Sequence, residues 1–121
     1  MLLRESGRRR ARRVAVRLPG TLRGRQERAV TVVDLSLTGC LLRSDAPLLL
    51  GSIHDLELPL SGSPLQAKAR VTESSQDGDA VAQGGPARFL VGLEFVQLKA
   101  QDQAGLRAFL DQEARRCERP R

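Results

Sequence analysis

Ala29-Val30-Thr31-Val32-Val33-Asp34-Leu35-Ser36-Leu37-Thr38-Gly39-Cys40-Leu41-Leu42-Arg43 is the stretch that decides the fold. Ala29 to Asp34 is β-branched and apolar on both faces, as a buried strand requires. Asp34 to Gly39 reads as a tight corner. Asp and Ser side chains bond nearby backbone N–H groups there, and Gly accepts a positive φ. Cys40 to Arg43 resumes a strand.

Outward from this unit the chain keeps the same period. Upstream, Val14, Val16 and Leu18 alternate with Ala15 and Arg17, Pro19-Gly20 marks a bend, and Arg23-Gly24-Arg25-Gln26 a turn. Downstream, Pro47 and Gly51 punctuate the chain before Leu56, Leu58 and Leu60 alternate with Asp55, Glu57 and Pro59. Ser61-Gly62-Ser63-Pro64 is a hairpin signal, and Leu65, Ala67, Ala69 and Val71 come next at period two. Residues 74–87 are polar and glycine-containing and predict a mobile loop; Phe89, Val91, Leu93 and Phe95 form a further strand. Leu106, Phe109 and Leu110 have helical spacing within a helix from about Ala100 to Arg116, whose start at Lys99 lacks a good cap.

The predicted fold class is mainly β: six short antiparallel strands in a closed or nearly closed barrel, then one C-terminal α-helix over an opening or flank. Closure removes the unpaired edges that short strands otherwise expose. The predicted divisions are a flexible arm over 1–7, one domain over 8–114 and a basic tail over 115–121.

Bulk properties set the function classes. The chain has 121 residues, 40% of them hydrophobic, enough for one domain with one core and too much for wholesale disorder. No apolar run approaches a membrane span, and the start Met1-Leu2-Leu3-Arg4 has no apolar core of a secretory signal. Two cysteines, Cys40 and Cys117, make neither a metal-ligand spacing nor a disulfide framework, which suits free thiols in a reducing cytoplasm.

The charge lies at the ends. Residues 1–13 hold six arginines and one acid, and residues 115–121 four arginines and one acid. The intervening chain holds ten basic and twelve acidic residues, so a near-neutral body carries two basic termini. Eighteen of the twenty basic residues are Arg, whose planar fork matches phosphates and guanine edges and whose flat face stacks on bases. No nucleophile–base pair, metal cluster or Walker-type loop appears, so an enzyme is the least favoured class and no cofactor is expected. His54, the sole histidine, reads as a surface or partly buried side chain, Glu94 as structural, and Cys40 as packed in the barrel.

Arg9-Arg10-Ala11-Arg12-Arg13 before the first strand, and Asp34-x-Ser36-x-x-Gly39 at the corner, together resemble the PilZ family of cyclic di-GMP receptors. That family's signature is R-x-x-x-R followed about twenty residues later by [D/N]-x-S-x-x-G. Arg9 and Arg13 match the first part; Asp34, Ser36 and Gly39 match the second. Val91-Gly92-Leu93-Glu94-Phe95 is similar to the family's last strand, so the resemblance covers roughly residues 8–112.

The resemblance implies a bacterial, cytoplasmic, non-enzymatic second-messenger receptor, monomeric or weakly dimeric, with cyclic di-GMP as ligand, a downstream protein effector and no membrane contact. It assigns Arg9 and Arg13 to the phosphates and a Hoogsteen edge, with Arg8 and Arg10 in support. Asp34 would accept the two adjacent donors of a guanine Watson–Crick edge, Ser36 would donate to the ligand, and Gly39 would permit close backbone approach. Binding would neutralise the repelling arginines and order the arm. One departure stands out: Thr72, Glu73 and Ser74 occupy the end of a strand where some members place an aromatic residue. Stacking would then fall to Arg, or to a self-stacked ligand pair. Two other readings remain open: a PilZ-like adaptor that binds only protein, and a basic nucleic-acid-binding barrel, which the near-absence of aromatics weakens.

Overall fold

The computed structural model describes residues 13–60, 63–78 and 88–118. Six strands precede one helix: β1 Val14–Arg23, β2 Glu27–Leu35, β3 Gly39–Ser44, β4 Ile53–Pro59, β5 Pro64–Gln76, β6 Phe89–Leu98 and α1 Ala100–Glu118. All pairings are antiparallel, and the order β1-β2-β3-β6-β5-β4 closes where β4 pairs with β1. The mainly β barrel with its C-terminal helix is the predicted architecture.

Alternation places one side chain in two on the barrel axis. Leu22, Val30, Val32, Leu42, Leu56, Leu58, Leu65, Ala69, Val71 and Val91 fill the interior. A fully buried leucine contributes roughly 1.5–3 kcal/mol, so this row is the main source of stability. Helix α1 closes the core with Leu106, Phe109 and Leu110, one face of a helix by their spacing, and packs on β5 and β1. Its first turn is tied down by Asp102, whose Oδ1 accepts the Gln66 backbone N–H at 3.3 Å, while the Lys99 carbonyl accepts the Gln103 N–H at 2.8 Å. The helix extends two residues past the predicted Arg116, so the start of the basic C-terminal segment is helical.

Two local expectations are corrected. Pro19-Gly20 does not end the first strand: Pro19 faces Thr31, Gly20 faces Val30, and the irregularity falls earlier, between Ala15 and Leu18. Gly20 is there for space, since a Cβ would meet Leu58 Cδ2 at 2.7 Å where β1 packs against β4. The polar stretch from Ser74 begins as strand, because Ser74, Ser75 and Gln76 pair with Val91, Leu90 and Phe89. Those positions are polar because β5 has an exposed outer face, not because the chain has left the sheet. The rest of the predicted loop, 79–87, lies outside the described residues, as do residues 1–12 and 119–121 of the predicted arm and tail.

Two ties hold the chain just beyond β5. The Asp77 backbone N–H donates to the Arg88 carbonyl at 2.7 Å, and the Asp77 carboxylate accepts from Arg43 Nε at 2.8 Å. Asp77 is buried, so its charge is compensated by this Arg43 contact.

Candidate functional site

The pairing of β1 with β2 sets Val14 against Leu35 and Ala15 against Asp34. Arg13, one residue before β1, therefore arrives beside the end of β2, and its Nη1 lies 3.3 Å from Asp34 Oδ2. The pair is asymmetric: the Arg13 side chain is 70% exposed and that of Asp34 26%. A guanidinium this exposed keeps most of its donors for another partner. Arg8, Arg9 and Arg10 lie outside the described residues.

The corner after Asp34 is held by hydrogen bonds of its own. The Ser36 N–H donates to the Gly39 carbonyl at 2.9 Å, and Ser36 Oγ accepts the Thr38 N–H at 3.2 Å. The hydroxyl reaches the Gly39 carbonyl at 3.3 Å and Thr38 Oγ1 at 3.2 Å. Ser36 is buried, so its first role here is to satisfy the turn. Gly39 lies against β6, where a Cβ would collide with the Leu93 carbonyl oxygen. The corner is then clipped to the sheet by the Phe95 N–H, which donates to the Thr38 carbonyl at 2.8 Å. Glu94, opposite Gly39, is ion-paired with Arg70 at 2.9 Å, a structural role.

A feature that sequence reasoning missed lies next to Asp34. Cross-strand pairing runs from Asp34 to Leu41, from Leu41 to Gly92 and from Gly92 to Glu73. Directly opposed residues share a face, and Leu42, Val91 and Val71 take the inner one. The outer row is thus a carboxylate, a half-buried leucine, a bare glycine and a second carboxylate. The Glu73 side chain lies over Gly92, whose Cβ would meet Glu73 Cγ at 2.8 Å. The available signal was the isolated Gly92 inside a strand pattern, which marks a close approach.

Cys40 comes directly after the corner and packs against the core. Burial, and secondarily the negative charge of Asp34, push its thiol up to about 12. His54 Nε2 is 2.9 Å from Ser52 Oγ, and that hydroxyl reaches the Leu49 carbonyl at 2.6 Å. A carbonyl only accepts, so the hydroxyl proton is committed to it and Nε2 carries the proton given to Ser52. The contact is a loop clamp, not a nucleophile–base pair. Among the described residues no group of three metal-ligating side chains comes together. A cavity of about 350 Å³ lies elsewhere, between Arg23, Asp55, Glu57, Lys68 and Lys99. Its charges largely neutralise one another, with Arg23 3.5 Å from Glu57 and Lys68 2.9 Å from Asp55.

A family model described as the PilZ domain matches residues 7–112. No curated protein matches the sequence. Among solved structures, the fold is similar to the Bacillus subtilis inhibitor of motility MotI/DgrA, with a TM-score of 0.75 at 16% identity over 92% of this chain and 53% of that one. It is similar to the PilZ domain of YcgR from Escherichia coli, solved with c-di-GMP, with a TM-score of 0.70 at 17% identity over 91% and 96%. It is also similar to MrkH of K. pneumonia in its c-di-GMP complex, with a TM-score of 0.69 at 18% identity over 90% and 55%. The chain thus spans about half the length of MotI and MrkH and nearly all of the YcgR domain.

Proposed function

The chain belongs to the PilZ domain family, and from that premise we propose that it is a receptor for cyclic di-GMP which binds at the Arg13–Asp34 corner and signals to a protein partner. The observation that carries the reading is the meeting of Arg13 with Asp34. The two halves of a split motif, separated by twenty-one residues, are brought to one edge of the barrel. Two of the similar structures were solved with c-di-GMP, which supports the same ligand here.

The chemistry is complementary at each contact. Asp34 accepts the paired N1–H and N2–H donors of one guanine. Arg13, with Arg9 before it, gives donors to phosphate and to O6 and N7. Arg8 and Arg10 add charge and a flat face for stacking in place of the missing aromatic. Ser36 and Gly39 act chiefly by fixing the corner that aims Asp34. Leu41, half-buried on the outer face next to Asp34, offers an apolar contact beside it. Each charge-assisted hydrogen bond contributes about 1.5–3 kcal/mol, and a net of ~8 kcal/mol corresponds to micromolar affinity. The arm before Arg13 orders as phosphates neutralise its arginines, and the new surface is what an effector reads. The receptor acts without catalysis, in the cytoplasm of a bacterium.

Calorimetry with cyclic di-GMP, GMP and single-stranded DNA at two salt concentrations tests the reading. Selective binding of the dinucleotide is expected. Binding that ignores the base and falls steeply with salt would instead identify a nucleic-acid-binding barrel, and no binding would leave a protein-only adaptor.

A further inference from the structure

Among the described residues four large apolar side chains are exposed, and three of them, Leu49, Leu50 and Ile53, lie together at the β3–β4 connection. Leu49 is 79% exposed and Leu50 63%. The backbone that carries them is well anchored. The Gly51 N–H donates to the Val71 carbonyl at 2.8 Å, and the Val71 N–H donates back to the Ser52 carbonyl at 2.9 Å. The Leu48 N–H donates to Ser74 Oγ, and Ser52 Oγ to the Leu49 carbonyl. Gly51 makes the reversal with φ +84°, a conformation suited to glycine. The leucines are therefore held out in a fixed geometry, which lowers the ordering cost of association.

Beside them lies a cavity of about 610 Å³, open to the surface between this connection and the β1–β2 turn. Pro47, Leu48, Leu49 and Ile53 form its apolar wall, Arg25 and Arg28 its basic wall, and no carboxylate lines it. Arg28 has a partner in Asp45 at 3.1 Å, whereas Arg25 has no carboxylate at ion-pair distance among the described residues. β1 runs ten residues from the Arg13 corner to this turn, about 30 Å along an extended strand. The groove is thus remote from the proposed nucleotide site, and the two can be filled together.

We propose that this groove docks an acidic amphipathic segment of a partner protein, with its apolar side chains on Leu49 and Ile53, next to exposed Leu50 in the chain, and its carboxylates on Arg25 and Arg28. Apolar and cationic walls facing one concave space match that chemistry. A second copy docked groove to groove does not fit, because the facing groove brings Arg25 and Arg28 no carboxylate. A nucleic acid would leave the leucines without partners.

Methyl NMR of the full chain provides the test. The probes are a sixteen-residue peptide with leucines on one helical face and glutamates elsewhere, the same peptide with lysines for glutamates, and phosphatidylcholine–phosphatidylserine vesicles. The Leu49, Leu50 and Ile53 methyls are expected to shift with the acidic peptide alone. Its affinity should fall at least tenfold in Arg25→Glu and in Leu49→Ser, both exposed positions at which the fold is kept. Equal response to the lysine peptide, response to vesicles but not peptide, no response at all, or a concentration-dependent dimer that buries these methyls would each overturn the proposal. Adding cyclic di-GMP does not enter the test, so its outcome is independent of the nucleotide reading.

Discussion

Arg13 and Asp34 share an ion pair at 3.3 Å that ties the entry of β1 to the exit of β2. The pair lies at the surface, and such pairs contribute about 0–1 kcal/mol to stability. Its two members are therefore largely free to serve a ligand. Arg13→Ala and Asp34→Ala should each weaken cyclic di-GMP binding at least tenfold while thermal unfolding moves by only a few degrees. Wild-type affinity in both variants, measured by calorimetry, would refute the site. Loss of the fold in Asp34→Ala would make its role structural.

Gly39 and Ser36 should behave differently from that pair. In Gly39→Ala the new methyl meets the Leu93 carbonyl, which is backbone and cannot step aside. Overpacking of this kind costs roughly 1–3 kcal/mol or more. Ser36→Ala removes the acceptor of the Thr38 N–H, and because Thr38 is exposed to water it should cost about 0.5–1.5 kcal/mol. Urea unfolding should register both losses without ligand. A Ser36→Ala variant of unchanged stability but weakened binding would assign Ser36 to the ligand instead.

His54 supplies a pH response. Burial first, then the nearby Arg28 cation, lowers its pKa, with Asp55 opposing. The unfolded chain, near the ordinary value of about 6.5, then takes up the proton before the folded chain does. Stability is complete above that value and falls as pH drops through it towards the lowered one. Because His54 is the sole histidine, denaturant midpoints between pH 7.5 and 5 report on it. His54→Gln should flatten the dependence. An unchanged slope would place its origin elsewhere.

Cys40 should be inert. With its thiol pushed up to about 12, it holds about a thousandfold less thiolate at neutral pH than an ordinary cysteine. In a Cys117→Ser background, maleimide labelling of the folded protein should be slower by a comparable factor and become ordinary in urea. Rapid labelling under native conditions would contradict the packing of Cys40 against the core.

The succession of strands along the chain was legible because alternation at Val14–Leu18, Leu56–Leu60, Leu65–Val71 and Phe89–Phe95 is a local property of the chain. The barrel's closure was legible only as an inference from short, even strands; the actual seam, Leu22 on Leu56, joins residues with nothing in sequence to link them. The corner at Asp34 to Gly39 declared itself through residue types that bond their own backbone. Ser36 carries the limit of that reasoning, since one hydroxyl suits a turn and a ligand equally until its burial is known. Pro19-Gly20 misled because a glycine needed for packing looks the same as one needed for turning. The outer row from Asp34 through Leu41 to Gly92 depends on the register of three strands, which no window of sequence contains. Exposed Leu49 and Leu50 likewise read as ordinary apolar residues until the surface is drawn.

The Asp77–Arg88 bond has a practical meaning for engineering. With Asp77 fastened both to Arg88 and to Arg43, the two ends of this connection are held together by contacts outside the chain that runs between them. Lengthening a connection costs only about 0.6 kcal/mol per doubling. A fluorescent reporter or an affinity epitope spliced after Gly78 would thus leave the strands in register, and the protein could carry its own read-out without either end of the chain being touched.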